Sequence, residues 1–294
     1  MQNVSAGSIR AGISGWRYPP WRGVFYPDDL TQKRELEFAS RALPTIEING
    51  SYYSLQTPSS YANWYAETPD DFVFSVKAPK YITQILRLRD ADVAVANFLA
   101  SGLANLREKL GPILWQLPPT MKYDQALLDQ FLAGLPHDTD EATTLACNHG
   151  AKVEGRSQLD FGENRRVRHA LEVRNESFVD PSLIALLKKH NVAMVIADTA
   201  GKFPQYEDVT ADYVYVRLHG DEKLYVSNYA DQTIAHWSAR IKSWSEGGEP
   251  DDARKIDAAS VPARVSRDVF CYFDNTAKEH APRNAQAMMK TFGT

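Results

Sequence analysis

Cysteine is nearly absent from this sequence: two residues in 294, Cys147 and Cys271, more than a hundred positions apart. Neither lies in a CxxC pair, which argues against a disulfide framework or a zinc knuckle and favours a reduced, cytoplasmic setting. Long apolar runs are also missing, and no stretch approaches the roughly 20 residues that span a bilayer. The opening MQNVSAGSIR has neither a basic lead nor an apolar run, so no signal peptide is expected. Charge of one sign is scarce as well. With 33 Lys and Arg against 37 Asp and Glu, the net charge is −4, too small to draw the chain to nucleic acid or anionic lipid. No internal repeat or low-complexity tract occurs. A glycine-rich phosphate loop should follow the first strand of an open doubly wound sheet, but GWRYPPW stands there instead.

What is present is alternation. Hydrophobic residues make up 44% and charged residues 24%, enough for a sizeable core. Eight strand-like runs, at 9–14, 45–48, 72–76, 113–117, 170–173, 193–197, 213–218 and 269–273, are separated mostly by helix-like segments. Thr31 caps a predicted helix to Ala42. Thr57 and Pro58 start another, and one long helix is expected from Asp92 to Leu110, stopped by Gly111 and Pro112. Further helices are predicted over 124–133, from Asp180 and Pro181 to near His190, and over 231–244 and 282–291. The pattern predicts an α/β fold, a single (β/α)8 TIM-like barrel domain over residues 8–294. Between the sixth and seventh runs only residues 200–211 remain, so that helix is short or missing. Two polar segments, 136–166 and 246–267, are expected as surface insertions, the second including a mobile loop.

In such a barrel the ends of the strands open into the mouth where substrates bind, and residues deeper inside are apolar. Here polar groups gather at those ends: Glu47 and Asn49, Lys77, Gln116, Glu172 and Arg174, Asp198, Arg217 and His219, Asp274 and Asn275. The pairs two residues apart share one face of a strand. A lone buried charge costs several kcal/mol, so groups converging on one rim either pair or do chemistry. Aromatic residues crowd the same end: Trp16, Tyr18, Trp21, Phe25 and Tyr26 after the first strand, Tyr52 and Tyr53 after the second. They either stack on a planar or sugar-like ligand or plug the mouth. Trp64, Trp115, Trp237 and Trp244 read as packing.

The segments ISGWRYPPWRGVFYP, EINGSYYSL, FVFSVKAPKYIT, LGPILWQLPP, LEVRNESF, YVRLHG and YFDNTAKEHAPRNA occur in that order. Together they resemble the YecE-like family, domain of unknown function 72, over residues 9–292. The resemblance implies a TIM-like barrel and no established activity. Family members often carry Thr or Ser with Phe where this chain has Gly50, Ser51 and Tyr52. They often have His in place of Gln84, Trp in place of Phe178, and a second Asn in place of Asp274. Carried over position by position, the family pattern falls on Glu47, Asn49, Lys77, Gln116, Glu172, Arg174, Arg217, His219 and Asn275, without assigning a role to any of them.

The leading expectation is an enzyme acting on a small, polar, anionic metabolite. Lys77, Arg174 and Arg217 would hold the anion. Glu47 or Glu172 would be the general base and His219 the proton donor, with Gln116, Asn49 and Asn275 orienting hydroxyls. No cofactor is then needed. An alternative is a divalent metal held by Glu47, Glu172, Asp198 and His219 in an isomerase or phosphodiesterase-like enzyme. A third is a non-catalytic barrel binding protein or nucleic acid through basic segments such as RRVRHA at 165–170. The overall acidity makes nucleic acid the weaker partner. Oligomeric state is not legible.

Overall fold

Eight parallel strands close into a barrel in chain order, with β8 returning to pair with β1. The computed structural model describes residues 6–259 and 265–293. Its strands are β1 (Ile9–Ser14), β2 (Thr45–Ile48), β3 (Val73–Lys77), β4 (Leu110–Gln116), β5 (His169–Glu172), β6 (Ala193–Asp198), β7 (Tyr213–Leu218) and β8 (Asp268–Phe273). This is the TIM-like architecture that the alternating runs predict. Helices cover the outside and side chains fill the inside, so the strands are buried on both faces; every residue of β6 and β7 is buried.

The outer helices begin where the sequence places caps. The side chains of Thr57, Asp124 and Asp180 accept from the backbone N–H groups of Ser60, Leu127 and Ser182, and Pro58 and Pro181 occupy first-turn positions. Thr31 makes no such bond. A 3₁₀ turn, Gln32–Arg34, precedes the helix Glu35–Ala42 instead.

The long helix expected over 92–110 is broken. Asp92–Ala100 is helical, Gly102 turns the chain at φ +123°, and a 3₁₀ segment, Leu103–Lys109, leads straight into β4. The break follows from contact: a Cβ on Gly102 would lie 2.6 Å from Pro58 Cα, at the start of the helix Pro58–Glu67. Gly111 and Pro112 therefore lie within β4 rather than ending a helix.

No helix separates β6 from β7. The chain that follows the helix Asp231–Ser245 packs onto this crossover. Glu207 N–H donates to the Arg254 carbonyl at 2.8 Å, and the Asp208 carboxylate accepts from Ile256 and Asp257 N–H at 2.7 and 3.0 Å. Arg240 bridges Glu207 and Asp252 at 2.6 and 2.7 Å. Residues 249–257 are thus bonded to the crossover, and residues 260–264 of the segment in which a mobile loop is expected lie outside the described residues. The other expected insertion, 136–166, contains the helix Thr139–Ala146, which packs against Asp92–Ala100 and buries Ala142 and Ala146.

The barrel interior is less apolar than expected. Leu114, Ala170, Val195, Ala197, Tyr213, Tyr215, Phe270 and Tyr272 pack together there. Among them runs a chain of hydroxyls: Tyr272 Oη lies 2.6 Å from Ser75 Oγ and 2.8 Å from Thr45 Oγ1, and Thr45 donates to the Val73 carbonyl at 2.7 Å. These three hydroxyls satisfy one another and the Val73 carbonyl, whereas the buried Tyr213 Oη in the same cluster makes no hydrogen bond among the described residues.

Candidate functional site

Strand alternation builds the site one step above the hydroxyl layer. Two residues beyond Thr45 stands Glu47; beyond Ser75, Lys77; beyond Leu114, Gln116; beyond Ala170, Glu172; beyond Tyr215, Arg217; beyond Tyr272, Asp274. Arg217 is the hub and has no exposed surface. Nε and Nη2 donate to the two oxygens of Glu47 at 3.1 and 2.8 Å. Nη1 donates to Glu172 at 2.7 Å and to His219 Nε2 at 3.3 Å, and Nη2 reaches Asp274 at 3.0 Å. All five N–H groups of the guanidinium are therefore engaged inside the protein. The expected grip of Arg217 on a substrate anion is not open to it: it holds three carboxylates in place instead.

The carboxylates are equally committed. Glu47 also accepts from Tyr215 Oη at 2.7 Å and Ser14 Oγ at 3.0 Å. Glu172 accepts from Gln116 Nε2 at 2.9 and 3.0 Å and from Arg174 Nε at 2.7 Å. Burial alone would raise the Glu172 and Asp274 carboxyls. For Glu172 the Arg174 and Arg217 guanidiniums outweigh it, and for Asp274 Arg217 and His219 do, so both are held below the usual carboxylate range. His219 Nδ1 lies 2.9 Å from Asp274 Oδ2, but outside hydrogen-bonding alignment.

Around this closed network lie groups without partners. Arg174 Nη2 and Asn49 Oδ1 are buried and make no hydrogen bond among the described residues. Lys77 is 9% exposed, and its ammonium makes no hydrogen bond or ion pair among the described residues; it rests on the Tyr52 ring, 4.3 Å from the centroid. Burial, reinforced by the neighbouring Arg217, lowers the Lys77 amine from 10.5 to about 8. Half-buried aromatics from three segments, the short helix Gly50–Tyr53 and two loops, cover these groups: Tyr52 over Lys77, Phe203 over Arg174 at 4.8 Å, and Tyr225 edge-on to His219 at 5.4 Å. Beside Asn49 a rim cavity of about 290 Å³ is lined by Trp16, Tyr18, Tyr53, Gln56 and Trp64. Trp64, expected to be simple packing, thus also borders open space. Trp21 and Tyr26 are fully buried and pack in the core.

Two of the expected residues fall on the wrong face. Ala193, Val195 and Ala197 point inward from β6, so Asp198 points outward, where it accepts from Tyr229 Oη at 3.0 Å and from Ala200 N–H at 3.2 Å. Asn275 likewise alternates away from Asp274; its amide binds the Ser227 carbonyl and Asn284 behind the rim. The four-residue metal set is thereby dismantled. Asp198 is turned away, Glu47 and Glu172 are filled by guanidinium, and among the described residues no group of three or more His, Cys, Asp or Glu is arranged to hold a metal ion. Gln84, the family's frequent His, donates to the Gln116 carbonyl at 2.8 Å.

Ser14 and Tyr215 were overlooked in the sequence. Tyr215 had a signal: it stands two residues before Arg217 on the same face. Ser14 ends β1 but is too small and common to stand out. The basic segment 165–170 lies at the opposite end of the barrel. There Arg166 pairs with Asp212, Arg168 pairs with Asp268 at 2.8 Å, and Arg165 donates to the Phe161 carbonyl. No helix among the described residues is long and apolar enough to cross a membrane.

Comparison with known proteins agrees with this architecture. Two solved structures of DUF72 family proteins share the fold. The one from Thermotoga maritima superposes with a TM-score of 0.72 at 21% identity, covering 98% of this chain and all of that one. The one from Enterococcus faecalis gives 0.68 at 19% identity, covering 97% and 96%. The UPF0759 protein YecE of Escherichia coli is 25% identical over 247 residues, 82% of this chain and 84% of its own. The UPF0759 protein YunF of Bacillus subtilis is 29% identical over 122 residues, 38% of this chain and 40% of its own. The profile of the family described as "Protein of unknown function DUF72" matches residues 10–294, and the chain belongs to that family.

Proposed function

We propose that this protein is a cytoplasmic enzyme that acts on a small, polar, anionic molecule, carboxylated or phosphorylated and sugar-like, by acid–base chemistry at the barrel mouth. The observation that carries this reading is the contrast at the site: Arg217 has every donor engaged, while Lys77 and Arg174 Nη2 beside it have none of theirs engaged by a carboxylate. Arg174 uses only Nε on Glu172, which leaves the Nη2 edge of its guanidinium for a ligand oxygen. Asn49, with an orphan carbonyl oxygen at the rim, would accept from a substrate hydroxyl. Proton transfer would run through His219, backed by Asp274. Glu47 and Glu172, each with three or more donors, would serve as fixed countercharges.

A panel of small carboxylates and sugar phosphates, screened by thermal shift and then by calorimetry, tests the reading. Wild type should respond to at least one anion, and Arg174→Met should lose most of that response. A wild-type protein indifferent to the whole panel sinks it.

A further inference from the structure

Lys77 differs from every other charged group at the mouth. It leaves the C-terminal end of β3, and Ser51 Oγ fixes its backbone by donating to the Lys77 carbonyl at 2.7 Å. Three carboxylates, those of Glu47, Glu172 and Asp274, contribute to its electrostatic surroundings, yet it pairs with none of them. Arg217 already holds all three. The Lys77 amine thus lies over the face of Tyr52, largely removed from water and in the repulsive field of Arg217. A lysine used only to grip an anion gains nothing from this placement, because it is most effective fully charged. A lysine used as a nucleophile gains a great deal, because only the neutral amine carries a free electron pair.

We propose that Lys77 forms an imine with a carbonyl-bearing anion, an oxo acid or oxo sugar phosphate, whose anionic group is held by Arg174. The proposal rests on the anion-site reading and changes the part Lys77 plays within it. In the step itself, the Nζ electron pair attacks the carbonyl carbon and the carbonyl π pair moves to oxygen, which takes up a proton to give a carbinolamine. The nitrogen gives up its two protons, which balance the two taken up by the oxygen, the protonated hydroxyl leaves as water, and the nitrogen electron pair closes the C=N bond. One carbonyl and one amine give one imine and one water, with no oxidant or reductant. The ring of Tyr52, lying flat against the amine, offers a surface for the planar imine and shields it from hydrolysis. An amine that titrates near pH 8 instead of 10.5 is unprotonated in about a tenth of molecules at pH 7, against fewer than about one in a thousand for an ordinary lysine.

The test uses the intact wild-type chain near neutral pH, with glyoxylate, pyruvate and glyceraldehyde 3-phosphate as probes and cyanoborohydride to trap any imine. Peptide mapping should find the reduced adduct on Lys77, accumulating at least about tenfold faster than on any surface lysine. Lys77→Arg should abolish that adduct while its circular dichroism spectrum and melt remain those of a folded barrel. Labelling spread evenly over surface lysines, or a Lys77 untouched by all three probes, overturns the imine. If non-carbonyl anions still bind in that case, the anion site survives and only the covalent role falls.

Discussion

Arg217 Nη1 lies 2.7 Å from Glu172 Oε2, with the two side chains 0% and 1% exposed. A pair this deep gives little net stability by itself, since desolvating both ions costs about as much as their attraction returns. Breaking it is another matter. Glu47 and Asp274 depend on the same guanidinium, so one cation is shared by three buried or nearly buried carboxylates, only one of which, Glu172, has a second guanidinium partner in Arg174.

Replacing Arg217 by Met should therefore cost about 3–5 kcal/mol, read as a lowered urea midpoint. Arg217→Lys should recover little of this, because an ammonium has three donors where the fork supplies five. A loss below about 1 kcal/mol in Arg217→Met would mean that the carboxylates find other partners or protonate.

Lys77 predicts the opposite sign. Its amine binds a proton less readily in the folded chain than in the unfolded one, so between about pH 8 and 10.5 the unfolded state holds more protons and stability rises with pH. Below pH 8 the buried charge is a burden. Lys77→Met should be more stable than wild type at pH 7 by on the order of 1–3 kcal/mol, with the gain shrinking toward pH 10. Denaturant melts of both proteins across this range decide it; a Met variant weaker than wild type at pH 7 would show that the charge is compensated.

Acid should act on the same cluster through Glu172 and Asp274. Both give up their protons more readily in the folded chain than the ordinary values of 4.5 and 3.8, so the stability they contribute is complete above that range. It drains away as pH falls below about 4 toward the depressed folded values. Circular dichroism melts should show a plateau from neutrality to about pH 5 and a steep decline below it. A flat acid limb would mean that these two groups titrate alike folded and unfolded.

Arg240 holds the chain around 249–257 through Glu207 and Asp252. Arg240→Ala should raise tryptic cleavage after Arg254 and Lys255 several-fold, while the barrel itself resists digestion. Unchanged cleavage would assign the anchoring to the Asp208 backbone contacts instead.

Much of this architecture was legible in advance. Eight apolar runs with helices between them leave few ways to bury both strand faces, and caps such as Thr57, Asp124 and Asp180 act over three or fewer residues, so local sequence suffices to read them. The break at Gly102 was not legible, because its cause is Pro58, more than forty residues away. Nor was the anchoring of 249–257. Its polar, acidic text reads as a loop, and only the missing crossover helix gives Asp208 and Glu207 room to receive it.

The site divides the same way. By itself the sequence determined which strand ends carry charge and, through the two-residue period, which neighbours share a face; applied strictly, that period would have preferred Asp274 to Asn275 and passed over Asp198. Only the tertiary structure decided how the charges are matched. Pairing depends on distances between strands far apart in the chain, and these make Arg217 the partner of three acids and leave Lys77 with none among the described residues.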